Sequence, residues 1–287
     1  MLSLYWYRTE TNFGDEFSPS VARHCFGTEF RPAGKWNADL VAEGSVLGFA
    51  LLRGLRGNPA AKAVTSLRCA VNRRLRCPLS VWGSGLLFPF VPGETKAAIR
   101  VPRYFALRGE LTRRELVSAG LMDAGDRVAF GDPGVFMPNV LGVRHDPQGR
   151  TGFVAHACHW QSGEIEKYRR EYPDMLMIDP RRSPAEVVSE IAGCTAIYSS
   201  SLHGLVAADS LGIPNRWVAL ETRHASAELN RFKFYDYYSA FGIRREPCSV
   251  KELPSARLYD PVPQRALEAA RERLVDSAGE ALAAMTV

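Results

Sequence analysis

Hydrophobic and polar positions alternate along this chain in short blocks, and most apolar runs end in a glycine, a proline or a polar loop. Residues 2–7 form an apolar segment that ends in a polar loop and predict a first strand. From Asp15 to Phe26 the apolar positions Phe17, Val21 and Cys25 recur four apart, as on one face of a helix. Residues 45–49, 79–85, 103–109 and 127–134 each predict a buried strand, or the end of one, running into a loop, with a helix over 112–119 between the last two. Polarity then rises at 145–150, where HDPQGR marks the expected lobe boundary. A second alternation follows, with strands at 151–157, 175–179 and 195–199 and a solvated helix at 163–172. Ser183, Pro184 and Glu186 have the order of a capping box with proline in the first turn, so a helix starts there. Another helix follows in SSLHGLVAADSLGIP and stops at Gly212, before Pro214. Leu267, Ala270, Leu274, Ala278 and Leu282 lie on one stripe, predicting an amphipathic helix over 264–285, long enough to pack across both lobes. The fold class expected is therefore α/β with parallel βα units, a first lobe over 1–145 and a second over 146–287.

Composition narrows the class. A hydrophobic fraction of 46% and a charged fraction of 23% in 287 residues are those of an ordinary globular protein, not a disordered one. The net charge of +5 is too small and too dispersed to imply nucleic acid, yet it suits a small anionic substrate or an anionic membrane surface. Six cysteines without a CxxC pair read as reduced thiols. The first residues lack the basic and apolar regions of a signal peptide, and no apolar run reaches the length of a membrane span. The expectation is a cytoplasmic protein in peripheral contact with the inner face of the membrane. Between Gly44 and Gly93 there is no acidic residue, while Arg53, Arg56, Lys62, Arg68, Arg73, Arg74 and Arg76 fall inside. That stretch fits an anionic lipid surface or a diphosphate-lipid carrier, and equally a solvated basic face.

In parallel sheets ligands bind at the carboxyl ends of strands, and most of the unusual local sequences here fall at such places. Asn12 and Gly14 in NFGDE bring backbone close to a ligand, and Asp15 can orient a hydroxyl or act as a base; capping of the next helix is the plain structural alternative. Gly83 and Ser84 form a small-residue turn whose amides can cradle an anion. Arg108 offers a planar fork for carboxylate or phosphate, and Asp132 sits in the rigid GDPG turn. The sharpest signal is Ser199, Ser200 and Ser201 followed by His203 and Gly204, hydroxyls and free amides at a helix start with an imidazole in the first turn. His156 and His159 flank Cys158, but no fourth ligand lies near, so a zinc site is not expected. His156 is instead a candidate cleft residue. Arg231, Lys233 and Tyr237 belong to an aromatic and cationic stretch suited to stacking a sugar, and Arg216 and Arg223 add further cations.

Taken in order, the NFGDE start, the GSG turn, Arg108-Gly109 with Leu111-Thr112, the GDPG turn, the AH strand end and SSLHGLVAADSLGIP resemble the polysaccharide pyruvyl transferase family. The resemblance spans about Asn12 to Pro214, and FKFYDYYSAFG looks like the tail of members acting on exopolysaccharide. It implies two Rossmann-like lobes with a central cleft, similar to the GT-B glycosyltransferase arrangement. It implies phosphoenolpyruvate as donor substrate, no cofactor and no metal, and as acceptor two hydroxyls of one sugar in a polysaccharide or its lipid-linked precursor. The family's catalytic histidine falls on His203. One departure is Ser201, where many members carry an arginine; the resemblance then leaves donor binding to Arg108 or Arg216.

On that resemblance, His203 is expected as acid or phosphate ligand, Asp15 or Asp132 as base or acceptor orienter, and Arg108 as clamp. Asn12, Gly14, Gly83, Ser84, Ser199, Ser200, Ser201, Gly204 and Arg216 are expected around the donor. His156, Arg231, Lys233 and Tyr237 are expected around the acceptor. Two alternatives are a nucleotide-sugar glycosyltransferase of the same fold and a non-catalytic carbohydrate-binding subunit. An oxidoreductase is disfavoured because no G-x-G-x-x-G follows the first strand.

Overall fold

Two five-stranded sheets, parallel at every pairing, organise the computed structural model, which describes residues 1–54, 58–90, 96–220 and 227–286. Arg56 and Arg223 lie outside the described residues. The chain begins with β1 (Ser3–Tyr5), α1 (Phe13–Phe26), β2 (Arg31–Pro32), β3 (Leu40–Ala42), α2 (Leu47–Leu51) and β4 (Leu52–Gly54). Then come α3 (Pro59–Leu75), β5 (Leu79–Trp82), β6 (Lys96–Ala98), β7 (Pro102–Tyr104) and β8 (Ala106–Leu107). This half continues through α4 (Glu110–Ser118), β9 (Ala129–Phe130), a 3-10 turn over Pro133–Phe136 and α5 (Met137–Leu141). The second half runs β10 (Arg150–Val154), α6 (Gly163–Glu171), β11 (Leu176–Ile178), α7 (Pro184–Ala192) and β12 (Cys194–Ser199). It ends with α8 (Leu202–Ser210), β13 (Asn215–Ala219), α9 (Ala227–Ser239), β14 (Cys248–Ser249) and α10 (Gln264–Thr286).

The strand orders are β2-β1-β3-β5-β7 and β11-β10-β12-β13-β14. In each sheet the second strand lies outside the first and the third lies inside it. The winding direction therefore reverses between β1 and β3, and again between β10 and β12. Such reversals open a crevice at the strands' carboxyl ends, because the two adjoining loops leave in opposite directions.

Local chemistry explains the elements that frame these crevices. Asn12 caps α1 by accepting from the Gly14 amide at 3.3 Å, Asp15 and Glu16 complement the helix dipole, and Gly27 ends the helix at φ 61°. Ser183 and Glu186 make both bonds of the capping box expected at α7. Every residue of α8 is buried, which suits a helix apolar on nearly all sides. Gly204 lets it lie against the second sheet, since a Cβ there would come within 2.4 Å of Ser199 Oγ and 2.9 Å of Val154 Cβ.

The apolar core is continuous between the halves. Phe13, Phe17 and Val21 of α1, Val135 and Phe136 of the 3-10 turn, Val187 and Ile191 of α7, Leu205 and Val206 of α8, and Leu274 and Ala278 of α10 form one cluster. The Phe13 amide donates to Pro180 O at 2.8 Å, a backbone bond from one half to the other. The last helix begins beside α8, where Gln264 donates to Asp209 O, and then lies on α1, β5 and β9. Trp82 Nε1 anchors it by donating to Leu274 O at 2.9 Å.

Several elements differ from the expectations, and β3, α3 and β13 stand where none was assigned. Residues 45–49 are not a strand: β3 ends earlier, the chain turns through Glu43 (φ 42°) and Gly44 (φ 79°), and α2 follows. A short apolar run has no periodicity long enough to separate a strand from a buried helical turn. The aromatic and cationic stretch around residue 233, to which no element was assigned, is helical within α9. No disulfide joins any of the six cysteines, and no helix among the described residues is long and apolar enough to cross a membrane.

Candidate active site

The two switch points line one cavity of about 230 Å3. Asn12 and Asp15 enter it after β1, Ser45 and Val46 after β3, His156 after β10, and Ser201, Leu202 and His203 after β12. Among the described residues Lys233 of α9 is the cation in the wall, and Tyr7, Phe49 and Leu87 supply apolar surface.

Close backbone approach sets the position of His203. A Cβ on Gly14 would fall 1.8 Å from His203 Nδ1, so only glycine allows the start of α1 to press on this ring. Phe13 meets the ring edge-on at 6.4 Å. His203 Nε2 points the other way, to Glu43 Oε1 at 3.9 Å. Burial pushes the imidazole down to about 4, against an upward pull from Asp15, so it is neutral at pH 7.

Behind His203 lies a group of three buried titratable side chains: Glu43, Asp132 and His203 itself. Asp132 Oδ1 accepts from the Gly134 amide at 2.9 Å, and Glu43 Oε2 accepts from Ser18 Oγ at 3.0 Å. The opposite atoms, Asp132 Oδ2, Glu43 Oε1 and His203 Nε2, have no hydrogen-bond partner. One ligand atom from each falls within 4.8 Å of the others, a spacing able to hold a cation. Burial and the repulsion of Asp132 raise the Glu43 carboxyl well above its usual range; burial lifts Asp132 to about 6 despite the pull of Arg108. Two neighbouring carboxylates in a buried site repel each other, so the second proton leaves the pair far less readily than the first. Glu43 was absent from the residues singled out in the sequence, because it stands in no motif. Its only local signal was the following glycine, and its positive φ is a property of the fold.

At the other wall Asp15 accepts from Asn12 Nδ2 at 3.0 Å, and burial raises its carboxyl against the pull of His203 and Lys233. Burial and then Arg108 depress Lys233 to about 8, which leaves it mainly protonated at neutral pH. Lys233 is also the largest cause of the lowered His156 imidazole, followed by burial. Ser201 caps α8 only by position, since its side chain makes no capping bond. The first turn of α8 is thus turned toward the cavity with positive dipole and amides.

Several expected site residues lie elsewhere. Arg108 does not line the cavity: it is fully buried, its Nε donates to Asp236 Oδ2 at 2.9 Å, and its other nitrogens donate to Leu86 O and Ser45 Oγ. Asp236 also accepts from the amide and hydroxyl of Thr112. This ion pair therefore ties α9, one turn after Lys233, to the start of α4. Tyr237 does not line the cavity either; its hydroxyl donates to buried Asp209, which also takes Arg245, Asn215 and the Val262 amide. Gly83 (φ 74°) fits against Pro133, and Ser84 donates to Gly44 O. Ser199 bonds Val154 O and the Ser201 amide, while Ser200 accepts from the His156 amide at 3.0 Å. Arg216 stacks on Tyr259 at 4.4 Å, and Arg231 is not in the cavity wall. Of the expected set, Asn12, Asp15, His156, Ser201, His203 and Lys233 line the cavity.

These features define a parallel α/β protein with one cavity lined from both switch points. The family model for polysaccharide pyruvyl transferase matches residues 65–222, and the chain belongs to that family. The chain is 33% identical over 155 residues to the succinoglycan biosynthesis protein ExoV of Rhizobium meliloti, covering 51% of this chain and 44% of that one. It is 31% identical over 123 residues to the uncharacterized protein L143 of Acanthamoeba polyphaga mimivirus, 42% of each chain. The matched stretches thus span less than half the length of either relative. A solved structure of a functionally uncharacterized protein from Klebsiella pneumoniae superposes with a TM-score of 0.44 at 9% identity, over 87% of this chain and 92% of that one.

Proposed function

We propose that this protein transfers a pyruvyl group from phosphoenolpyruvate to two hydroxyls of one sugar in a surface polysaccharide or its lipid-linked precursor. Protonation of the donor's methylene carbon makes its C2 cationic, and a first sugar hydroxyl bonds to C2 and loses its proton. The C2–O bond to phosphate then breaks, phosphate leaves, and the neighbouring hydroxyl closes the ketal. Of the two hydroxyl protons, one balances the new methyl group and the other goes to phosphate.

The observation that carries this reading is the place of His203, at the start of α8 in a cavity shared by both switch points, in a chain of this family. Lys233 and the first turn of α8 suit the donor's phosphate and carboxylate, a role that Arg108, consumed by Asp236, does not fill directly. Asp15 is the base or acceptor orienter. A bound anion raises the His203 imidazole from its depressed value, so the donor itself prepares its acid. Glu43 Oε1, 3.9 Å from His203 Nε2, favours the protonated imidazole when its carboxyl is ionised. In this reading, catalysis requires no metal or cofactor. The two sheets of like strand order support a two-lobed division near 145/146 of the GT-B kind, with α10 returning to the first lobe. Peripheral contact with the inner face of the cell membrane completes the reading.

The test is phosphate release from phosphoenolpyruvate with and without a lipid-linked oligosaccharide fraction, comparing wild type with His203→Ala. Acceptor-dependent release that collapses in the variant is expected. Tight binding of a nucleoside diphosphate with no release from any precursor would overturn the reading in favour of glycosyl transfer.

A further inference from the structure

Helix α3 turns its large apolar side chains outward. Val64, Leu67, Val71 and Leu75 are 69%, 65%, 46% and 76% exposed, and they make up half of the large exposed hydrophobics among the described residues. Steps of three, four and four residues put them on one stripe. Cys69, the residue that α3 buries, lies on the opposite side. Asn72 and Arg73 hold the helix to the rest of the protein through the carbonyls of Ile99 and Ala98. The stripe is therefore not needed for the core.

Cations border it. Arg68, stacked on Trp36 at 4.4 Å, flanks one side and Arg74 the other, with Arg76 just past the C-terminal end, all of them exposed. No acid lies between residues 44 and 93 to balance them. A second copy of this helix would set cation against cation, which disfavours self-association through this face. An anionic lipid surface takes both features together, the cations at the headgroups and the stripe among the acyl chains beneath.

We propose that α3 is an interfacial helix that docks this protein on an anionic phospholipid surface, with Val64, Leu67, Val71 and Leu75 inserted. This deepens the peripheral contact named above and holds whichever group the cavity transfers. The placement also suits a substrate carried on lipid. Phe49 of α2 lines the cavity and is 43% exposed; β4 follows directly, pairs with β6, and α3 packs on β6.

Vesicle flotation without any phosphoenolpyruvate tests the idea, so its failure is separate from failure of the transfer reaction. Wild type should float with phosphatidylcholine vesicles containing phosphatidylglycerol, and not with phosphatidylcholine alone. Adding salt should weaken binding. Val64→Ser with Leu67→Ser and Val71→Ser should abolish flotation, and Arg68→Gln with Arg74→Gln should weaken it roughly thirtyfold. Unchanged thermal melting of both variants shows that folding is intact. Equal flotation on neutral and anionic vesicles, flotation indifferent to the triple change, or a dimer that the triple change dissolves without any lipid binding would each overturn the proposal.

Discussion

Replacing Gly14 by alanine tests the contact that positions His203. At the first turn of a helix alanine normally stabilises, by up to about 1 kcal/mol relative to glycine. Here the added Cβ would lie 1.8, 2.2 and 2.7 Å from three atoms of the His203 side chain, where ordinary contact begins near 3.4 Å. Either the ring or the start of α1 has to move by about 1.6 Å, and overpacking of this kind costs about 1–3 kcal/mol. His203 cannot recede freely, because Glu43 and Asp132 stand behind it and every residue of α8 is buried. A displacement of that size at a reacting group lowers the rate on the order of 100-fold. The assay is acceptor-dependent phosphate release beside a thermal melt, with Gly279→Ala in α10, where nothing lies within 4 Å of the new Cβ, as control. The control should keep full activity and equal or better stability. Gly14→Ala with wild-type turnover and a melting temperature raised like the control's would refute the reasoning.

Asp132, lifted to about 6 by burial, binds its proton more tightly folded than unfolded, so the stability it lends is full below about pH 4 and lost as pH rises through 6. Asp132→Asn should therefore gain on wild type by roughly 3 kcal/mol between pH 4 and 7, read from urea melts at a series of pH values; a constant difference would contradict the buried pair. Asp236→Asn leaves the Arg108 guanidinium buried without its carboxylate and should destabilise by about 3–5 kcal/mol. Since the pair holds α9, the same variant should raise the KM for the donor more than it lowers kcat, and an unchanged KM would remove the link to Lys233.

Much of the scaffold was legible because its signals are local. The capping box at Ser183 and Glu186, the apolar stripe from Leu267 and the strand over Leu79–Trp82 each depend on neighbours within a few residues. Site roles were less legible, because they depend on which way a side chain points. Arg108 has the sequence of a ligand clamp, yet its partner Asp236 lies 128 residues away, and nothing near either one announces the pairing. Gly204 and Ser199 were rightly singled out as unusual, but the constraint they answer is the close packing of α8 on its sheet. Glu43 was invisible for the converse reason: a lone acid in ordinary surroundings becomes chemistry only when Asp132 and His203 are folded against it. The first strand's loop, by contrast, delivers Asn12 and Asp15 to the cavity as expected from the strand-end rule.

The return of α10 to the first sheet bears on how this architecture can be recombined. Residues 264–286 follow the second sheet in the chain but lie on α1, β5 and β9, with Trp82 fastened to the Leu274 carbonyl. A chimera that exchanges one half between relatives by a single crossover near residue 146 therefore joins one parent's sheet to the other parent's clasp. Two crossovers, the second just before Gln264, keep Trp82 and Leu274 from the same parent. Exchange of the first half in this fold is thus tied to a segment that lies far in sequence from the sheet it completes.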